Sequence, residues 1–416
     1  MGVPLPSYPE AAATVYEYAS RLVVGEKRTE AVALGDALGR VLARPVRADR
    51  DMPAFPRSTR DGYALRASEA SAWLSIAGSI RAGDPPAAPL ASGSAWEIMT
   101  GAAVPEDADA VAMLEHVETA QTGQDGTRVR LAAGRKLEPG ENVVPAAAEA
   151  RAGDELIPAG TWLGAAQIAA AATCGYASVE VFARPRVAIL TTGDELVPVD
   201  VKPGPGQIRN SNGPMLAALV TRAGGESWLL PAVRDERASM ELALRTALDA
   251  DLLLISGGVS AGKFDLVEPA LAELGAIFHF TGVRMQPGKP LVFGDLPVAG
   301  GRLPFFGHPG NPISTAATFL LFAAPVLRAL AGQQAMAPRF AVARLARDVH
   351  GKPNLTRFIP ARETCEALPG EMPSVSPVPW QGSGDLAAFA RANCFLVVPE
   401  GVDHIAARET ATILPI

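Results

Sequence analysis

A glycine-rich segment at residues 255–265, ISGGVSAGKFD, has the residue types of an anion-binding loop. It follows the apolar run DLLLI and precedes the helix-like run DLVEPALAELG, and in such a layout backbone N–H groups and the helix dipole can face an anion together. The spacing G-x-x-x-x-G-K is that of a nucleotide P-loop, but a P-loop needs Ser or Thr next, and here Phe264 follows. We therefore expect the N–H groups of Gly257, Gly258 and Ser260 to face an anion without forming a P-loop.

Acidic residues follow several of the predicted strands. Asp265 closes the glycine loop, where a carboxylate would repel a phosphate unless a cation lay between them, and Mg²⁺ bound by carboxylates and phosphate oxygens would reconcile the two. The alternative is that Asp265 caps the following helix, and the spacing favours neither. Asp194, Glu195 and Asp235 are either solvated loop charges or part of a metal or polar-ligand site.

Three segments carry groups that suit an oxyanion. Lys289 stands between two prolines in QPGKP, Arg357 lies in TRF, and the turn QGSGD at 381–385 offers a hydroxyl and free amides. Each is also explained as exposed surface, and spacing alone does not bring them together.

Residues 185–330 supply the elements that must position these groups. The apolar runs RVAIL, SWLLPAV, DLLLI and LPFF alternate with helical patterns, which predicts a mostly parallel sheet covered on both faces. The loops TTGDEL, RDE, SGGVSAGKFD and GHPGNPIS each follow one of these runs, and ligands of open α/β sheets bind beyond the carboxyl ends of the strands. Asn212 is expected to cap the next helix, in NSNGPMLAALVTRAGG.

The bulk composition excludes several classes of protein. A chain of 416 residues exceeds one ordinary core, and its net charge of −7 argues against broad nucleic-acid binding. The three cysteines are too widely spaced for a disulfide framework or a C-x-x-C metal site. The start of the chain has no signal-peptide pattern, and the apolar run at 313–330 is predicted to be a buried core helix rather than a membrane span. We expect a cytoplasmic protein with no nucleic-acid or membrane partner.

Six segments appear in the order seen in the molybdopterin molybdotransferases, the MoeA family, which includes the E domain of gephyrin. They are MTGAAVPEDADAVAMLE, TTGDEL, SGGVSAGKFD, QPGKP, GHPGNPIS and QGSGD. The chain resembles this family over nearly its whole length.

The resemblance implies an activity and an assembly. Adenylylated molybdopterin and molybdate would bind, Mg²⁺ would assist, AMP would leave, and the dithiolene would take molybdenum. The resemblance also implies a homodimer with the active site in a cleft between subunits. Partners would be a molybdopterin adenylyltransferase and the molybdoenzymes that receive the cofactor.

The implied fold class is a multidomain α/β protein. Its central, adenylyltransferase-like α/β domain would be joined by a β-rich insert domain, a small α+β linker domain and a C-terminal β-barrel-like domain. The expected boundaries are 1–26 for an N-terminal helix packed on the central domain, 27–46 with 147–182 for the linker, 47–146 for the insert, 183–331 for the central domain and 332–416 for the C-terminal domain.

The functional positions of the family fall on residues of three kinds. Catalytic roles fall on Asp61, Thr100, Glu195, Asp235 and Asp265, the last of them near Mg²⁺. Binding of the pterin substrate falls on Thr192, Gly193, Asp194, Ser211, Asn212, Gly257, Gly258, Ser260, Gly262, Pro309, Gly310, Asn311 and Pro312. The molybdate pocket falls on Lys289, Ser314, Arg357 and Ser383.

The sequence departs from the family pattern at two places. Many members have K-P-G-K-P, but Gln286 replaces the first lysine here, so weaker molybdate binding is our hypothesis. Before Asp61 many members have N-S-A-M, whereas this chain has RSTR, so Arg57 and Arg60 either add positive charge at the cleft or face solvent.

Three other functions compete with molybdenum insertion. They are a P-loop kinase or ATPase, a molybdopterin-binding scaffold without the reaction, and a molybdopterin adenylyltransferase. Phe264 counts against the first, the strand-end acids and Lys289 against the second, and the QPGKP and QGSGD segments against the third.

Overall fold

A six-stranded sheet forms the centre of the molecule. The computed structural model describes residues 4–23, 27–121, 126–259, 266–334, 337–364 and 370–416. The strand order in the central sheet is Glu226–Leu229, Arg186–Thr191, Leu252–Ser256, Gly301–His308, Val292–Val298 and Ile277–Thr281. The first three pairings are parallel and the last two antiparallel, so the expected mostly parallel sheet is confirmed.

Alternate residues of the sheet point into two separate cores. From the strand Arg186–Thr191, Val187 and Ile189 enter one core, while Ala188 and Leu190 enter the other. Burial on both faces explains why these strands are continuous apolar runs rather than alternating ones. The helices that contribute to the first core are Tyr8–Val23, Asn212–Arg222, Pro312–Thr318 and Ala324–Leu330, and those of the second core are Arg237–Ala247 and Val267–Glu273.

The apolar run at 313–330 lies in the first core. It consists of Pro312–Thr318, a π-helical turn Phe319–Ala323 and Ala324–Leu330. Pro312–Leu330 has the length and composition of a membrane span, but 89% of its most apolar window is buried inside the protein. The expectation of a buried core helix therefore agrees with the structure.

The linker domain and the insert domain precede the central sheet in the sequence. In the linker domain, Thr29–Ala33 pairs with Ser178–Phe182, Val46–Arg47 pairs with Glu155–Ile157, and Ala165–Thr173 is a helix. The insert sheet has the order Ala110–Met113, Gly62–Leu65, Ser94–Ile98, Leu74–Ile80, Thr127–Leu131 and Val117–Gln121. A further pair of the insert, Arg57–Ser58 with Val143–Val144, forms a separate two-stranded sheet.

The C-terminal domain is a closed five-stranded barrel. Its strands follow the order Thr356–Thr364, Ser374–Pro377, Ala341–Leu345, Thr410–Pro415 and Cys394–Val398, and the last also pairs with the first. Met285–Gln286 of the central domain pairs in parallel with Thr356–Arg357, which joins the two domains directly. The remaining short elements are the strands Leu196–Val197, Ile208–Arg209, Val349–His350 and His404–Ile405, the helix Leu386–Phe389, and the 3₁₀ turns Leu34–Asp36, Ala67–Glu69 and Leu114–His116.

Candidate functional site

A cleft of about 680 Å³ lies beyond the carboxyl ends of the central strands. Four loops that follow strands of the sheet converge on it, so the cleft is built by the topology of the sheet rather than by one segment. Predicted residues that line it are Thr192, Gly193, Glu195, Ser211, Asn212, Asp235, Gly257, Gly258, Pro309, Gly310, Asn311 and Pro312. The predicted Ser260, Gly262 and Asp265 lie outside the described residues.

The two glycines after the strand Leu252–Ser256 are required by geometry. Gly257 has φ +98° and Gly258 has φ +63°, a region that L side chains rarely adopt. A Cβ at Gly257 would lie 2.4 Å from the carbonyl oxygen of Thr192, so any side chain would push two strand ends apart.

The backbone N–H of Gly257 does not serve an anion, contrary to expectation. It donates to the carbonyl of His308 at 3.1 Å, because the strand that ends at His308 lies directly alongside. One backbone N–H of a glycine loop at a strand end can thus be used in a hydrogen bond to the neighbouring strand. Gly257 still lines the cleft through its backbone.

The acidic residues form a chain of contacts on one side of the cleft. The hydroxyl of Thr192 donates to Asp235 Oδ1 at 2.5 Å, and the backbone N–H of Asp235 donates to Asp194 Oδ1 at 3.2 Å. Asp194 is not among the residues that line the cleft, and its carboxylate accepts the backbone N–H of Asp235, so its predicted role in pterin binding stays a prediction. Across the described residues, no three His, Cys, Asp or Glu side chains are grouped so as to hold a metal.

Asn212 joins two of the converging loops. Its amide nitrogen donates to Ser256 Oγ at 2.9 Å and to the carbonyl of Gly310 at 2.6 Å. Because a carbonyl can only accept, Gly310 fixes which end of the amide is nitrogen. The Asn212 Oδ1 atom is buried and has no hydrogen-bond partner among the residues that the structure describes.

Asn212 is not the helix cap that we expected. The helix begins at Asn212 itself, and Asn210 supplies the capping contact, since Asn210 Oδ1 accepts from the N–H of Gly213 at 3.0 Å. The other end of the Asn210 amide donates to Thr191 Oγ1 at 2.9 Å. Asn212 is thereby free to bridge the loops across the floor of the cleft.

Other residues that line the cleft are absent from the sequence prediction. They are Thr191, Leu196, Ile208, Arg209, Asn210, Ser256, Val259, Pro290, Gly384 and Leu386. Asn210 could have been found, because Asn just before a predicted helix is a common cap. Gly384 lies in the QGSGD turn that the sequence indicates, whereas Leu386 could not have been found, because it comes from the barrel domain and no local pattern places it at this edge of the sheet.

The segments predicted to bind molybdate adjoin one flank of the cleft. Ser314 lies in the first turn of the helix Pro312–Thr318 and is 4% exposed. The backbone N–H of Ile313 donates to the carbonyl of Ser383 at 3.0 Å, so Ser383 of the barrel domain meets this helix start. Lys289 is exposed and precedes Pro290, which lines the cleft.

Arg357 lies in the barrel strand that pairs with the segment carrying Lys289. The backbone of Arg357 pairs with Gln286, and Nη1 donates to the carbonyl of His350. Its Nε is buried and, among the described residues, has no hydrogen-bond partner. Burial lowers the pKa of the Arg357 guanidinium from its ordinary value, yet an arginine remains charged at neutral pH. A charged, incompletely bonded guanidinium is suited to an oxyanion.

Asp61 and Thr100 lie apart from the cleft, in the insert domain. The N–H and the hydroxyl of Thr100 both donate to Asp61 Oδ1, at 2.7 and 2.8 Å. These two donors, the N–H first, hold the pKa of the Asp61 carboxyl below its ordinary value. Arg57 is bound to Glu149 at 2.6 Å, so part of its charge is already neutralised, whereas Arg60 is exposed.

The sequence matches one family along most of its length. Residues 6–175 match the MoeA N-terminal region (domain I and II), 188–329 match the probable molybdopterin binding domain, and 342–416 match the MoeA C-terminal region (domain IV). A molybdopterin molybdenumtransferase of Nostoc sp. is 36% identical over 99% of this chain and 94% of its own. One of Bacillus subtilis is 34% identical over 93% of this chain and 89% of its own.

Solved structures agree with this assignment. A molybdopterin biosynthesis MoeA protein from Pyrococcus horikoshii OT3 superimposes with a TM-score of 0.81 at 26% identity, covering 99% of this chain and 100% of the other. A second MoeA structure from Pyrococcus gives a TM-score of 0.72 at 31% identity, covering 96% and 98%. The family inferred from the sequence motifs is confirmed: the chain belongs to the MoeA family of molybdopterin molybdenumtransferases.

Proposed function

We propose that this chain transfers molybdenum from molybdate to the dithiolene of adenylylated molybdopterin, with release of AMP. The observation that carries the proposal is the meeting of two kinds of surface at one cleft. One side is lined by strand-end amides, hydroxyls and carboxylates, and the cleft also reaches Pro290, Pro312 and Gly384. These three residues belong to the segments of two domains that carry Lys289, Ser314 and Ser383, and Arg357 pairs with Gln286 in the first of those segments. A phosphorylated pterin suits the first surface, and a tetrahedral dianion suits the second.

The proposal includes Mg²⁺ as the cofactor. Mg²⁺ is normally bound by one or two carboxylates together with substrate phosphates, and the cleft offers the carboxylates of Glu195 and Asp235. These donors fit the ion, and Asp265, outside the described residues, is the third acid proposed near it. When bound, the ion would neutralise charge on the phosphates as the adenylyl bond breaks.

We also propose that the active form is a homodimer located in the cytoplasm. The supporting observation is that the exposed Asp61–Thr100 pair does not line the cleft of its own chain, so a second subunit would bring it there. Co-expression of an Asp61→Asn chain with an Asp235→Asn chain should then restore activity in mixed dimers. Two inactive variants that stay inactive when mixed would exclude a shared site.

The direct experiment is a defined reaction in vitro. Purified protein is mixed with adenylylated molybdopterin, Mg²⁺ and molybdate, and AMP and active cofactor are followed together. We expect molybdate-dependent AMP release that EDTA abolishes and Mg²⁺ restores. Asp235→Asn should reduce it by about 100-fold if Asp235 takes part in the chemistry.

A matched control uses the opposite edge of the same sheet. Asp249 is exposed just before the strand Leu252–Ser256, at its amino end, so Asp249→Asn makes the same chemical change far from the cleft. This variant should keep wild-type activity. Pterin binding without AMP release in the wild type would point to a scaffold, and formation of adenylylated pterin from ATP would point to an adenylyltransferase.

A further inference from the structure

A buried polar network lies beneath the flank that carries Ser314 and Lys289. His308, the last residue of the strand Gly301–His308, is fully buried, and its Nδ1 lies 2.8 Å from Thr318 Oγ1. Thr318 is also fully buried, and its hydroxyl lies 2.8 Å from the carbonyl oxygen of Ser314 and 3.2 Å from that of Thr315. The imidazole is therefore linked to the backbone of Ser314 through a single hydroxyl.

The hydrogen-bond roles in this network can be assigned. A hydroxyl has one proton, and the carbonyls of Ser314 and Thr315 can only accept, so the Thr318 proton is directed to these carbonyls, of which that of Ser314 is nearer. Nδ1 of His308 must then carry the proton and donate to Thr318 Oγ1. Nε2 is left as a bare lone pair, and within the described part of the chain it is buried without a hydrogen-bond partner. Complete burial lowers the pKa of His308 to about 3, so the ring is neutral at physiological pH.

Because Nε2 has no hydrogen-bond partner among the described residues, an imidazole is less favourable for stability at this position than an apolar side chain of similar size. A buried acceptor without a donor destabilises the folded state, and an aliphatic side chain of similar size would avoid that cost. What the imidazole adds over an aliphatic side chain is the Nδ1–H bond to Thr318. Since this bond is the contribution of His308, its role depends on the residues that Thr318 contacts.

Thr318 contacts the second segment of the flank with its methyl group. A Cβ built on Gly288 would lie 2.6 Å from Thr318 Cγ2, so the turn Gln286–Pro290 rests directly on this side chain. Gly288 has φ +111° and immediately precedes Lys289. One side chain thus touches the backbone of Ser314 through its hydroxyl and the turn that carries Lys289 through its methyl group.

We propose that His308 is a positioning residue that acts through Thr318 to hold Ser314 and Lys289 at the separation required to bind one tetrahedral oxyanion. This inference rests on the proposed function, in which these two residues bind molybdate. It adds a residue that touches neither the anion nor the pterin. The expected loss on disrupting the network is in oxyanion affinity, not in pterin affinity.

Two pairs of variants separate the hydrogen bonds from the packing. His308→Leu removes the Nδ1–H, whereas the amide of His308→Asn can donate from nearly the same position. Thr318→Val keeps the shape and removes the hydroxyl, whereas Thr318→Ser keeps the hydroxyl and removes the methyl group beneath Gly288. Thr221→Val is the control, because Thr221 also donates to a carbonyl four residues earlier, at 2.9 Å, but lies on the surface of another helix.

The measurements are isothermal titration of molybdate and of tungstate into protein saturated with pterin, pterin affinity, and thermal unfolding. His308→Leu and Thr318→Val should each weaken oxyanion binding by about ten-fold, and the double variant should be no weaker than either alone, since both break one network. His308→Asn should stay within about three-fold of the wild type. Pterin affinity should be unchanged, and His308→Leu should unfold at the same or a higher temperature than the wild type.

The outcomes distinguish this inference from the proposed function. If the wild type binds oxyanion but releases no AMP, the proposed function fails while the titrations still test the positioning role. If the wild type releases AMP and His308→Leu binds oxyanion as tightly as the wild type, the positioning role alone fails. It is also overturned if His308→Leu lowers pterin affinity, oxyanion affinity and unfolding temperature together, or if the wild type binds no oxyanion.

Discussion

Gln286 and Arg357 are direct partners in the short parallel pairing that joins the central domain to the barrel. Each carries a buried polar atom for which the described residues offer no hydrogen-bond partner, Oε1 of Gln286 and Nε of Arg357. The Arg357 side chain is held from the barrel side by its bond to the His350 carbonyl. A positively charged side chain at position 286 would therefore add to the charge of Arg357 in this pairing.

Gln286→Lys should tighten molybdate binding. A lysine here would add a charged donor beside Arg357, and a charge-assisted hydrogen bond of about 1.4 kcal/mol corresponds to about ten-fold in affinity. Apparent molybdate affinity is measured from the concentration dependence of AMP release, at fixed ionic strength. Gln286→Met, which changes shape without adding charge, is the control. A lysine variant with no gain would show that charge at position 286 does not reach the anion.

Asn212→Leu should destabilise the fold and open the floor of the cleft. It leaves Ser256 and the carbonyl of Gly310 without their amide donor, which costs about 1–3 kcal/mol when such groups are buried. Urea unfolding measures the loss, and pterin binding should weaken in the same variant. Thr173→Val, which removes an exposed hydroxyl on a linker-domain helix, serves as the comparison. Unchanged stability would mean that water replaces the amide.

The pH dependence of stability should change in His308→Leu. The pKa of His308 is about 3 in the folded chain and 6.5 ordinarily. Between these two pH values His308 is protonated in the unfolded chain but neutral in the folded chain. Wild-type stability should therefore fall by about 1.4 kcal/mol per pH unit from this group between pH 6.5 and 3. Urea unfolding at pH 7.5 and at pH 5 should show the variant gaining about 2 kcal/mol on the wild type. A constant difference between the two proteins would contradict burial of a neutral imidazole.

Thr100→Val should raise the pKa of Asp61. The substitution removes the hydroxyl donor but keeps the backbone N–H, which is the larger of the two causes of the lowered pKa. The pKa should therefore rise only part of the way toward its ordinary 3.8. A lowered carboxyl pKa contributes stability above pH 3.8 that is lost as pH falls through the folded value, so the variant should lose this contribution at a higher pH. Carboxyl ¹³C titration of Asp61 measures the shift, with Thr100→Ser as the variant that retains the hydroxyl.

The strands of the central sheet and their terminal loops follow from the sequence. Leu252–Ser256 is a continuous apolar run because both of its faces are buried. Such a run can be identified from the local sequence without knowing which strands lie beside it. The glycines at 257 and 258 are also local signals, because positive φ and close backbone approach restrict the residue at those positions. The family motifs likewise predicted most of the residues that line the cleft.

The use of individual hydrogen-bonding groups was decided by the tertiary structure. The N–H of Gly257 goes to His308, and the Asn212 amide goes to Ser256 and Gly310, because those partners belong to segments that the fold lays alongside. The same holds for Gly384 and Leu386, which reach the cleft only because the barrel packs against the central domain. A sequence states which hydrogen-bond donors and acceptors exist, but the partner of each one depends on strands that are distant in the chain. The types of group that line the cleft could therefore be predicted from the sequence, whereas the hydrogen bonds between them could not.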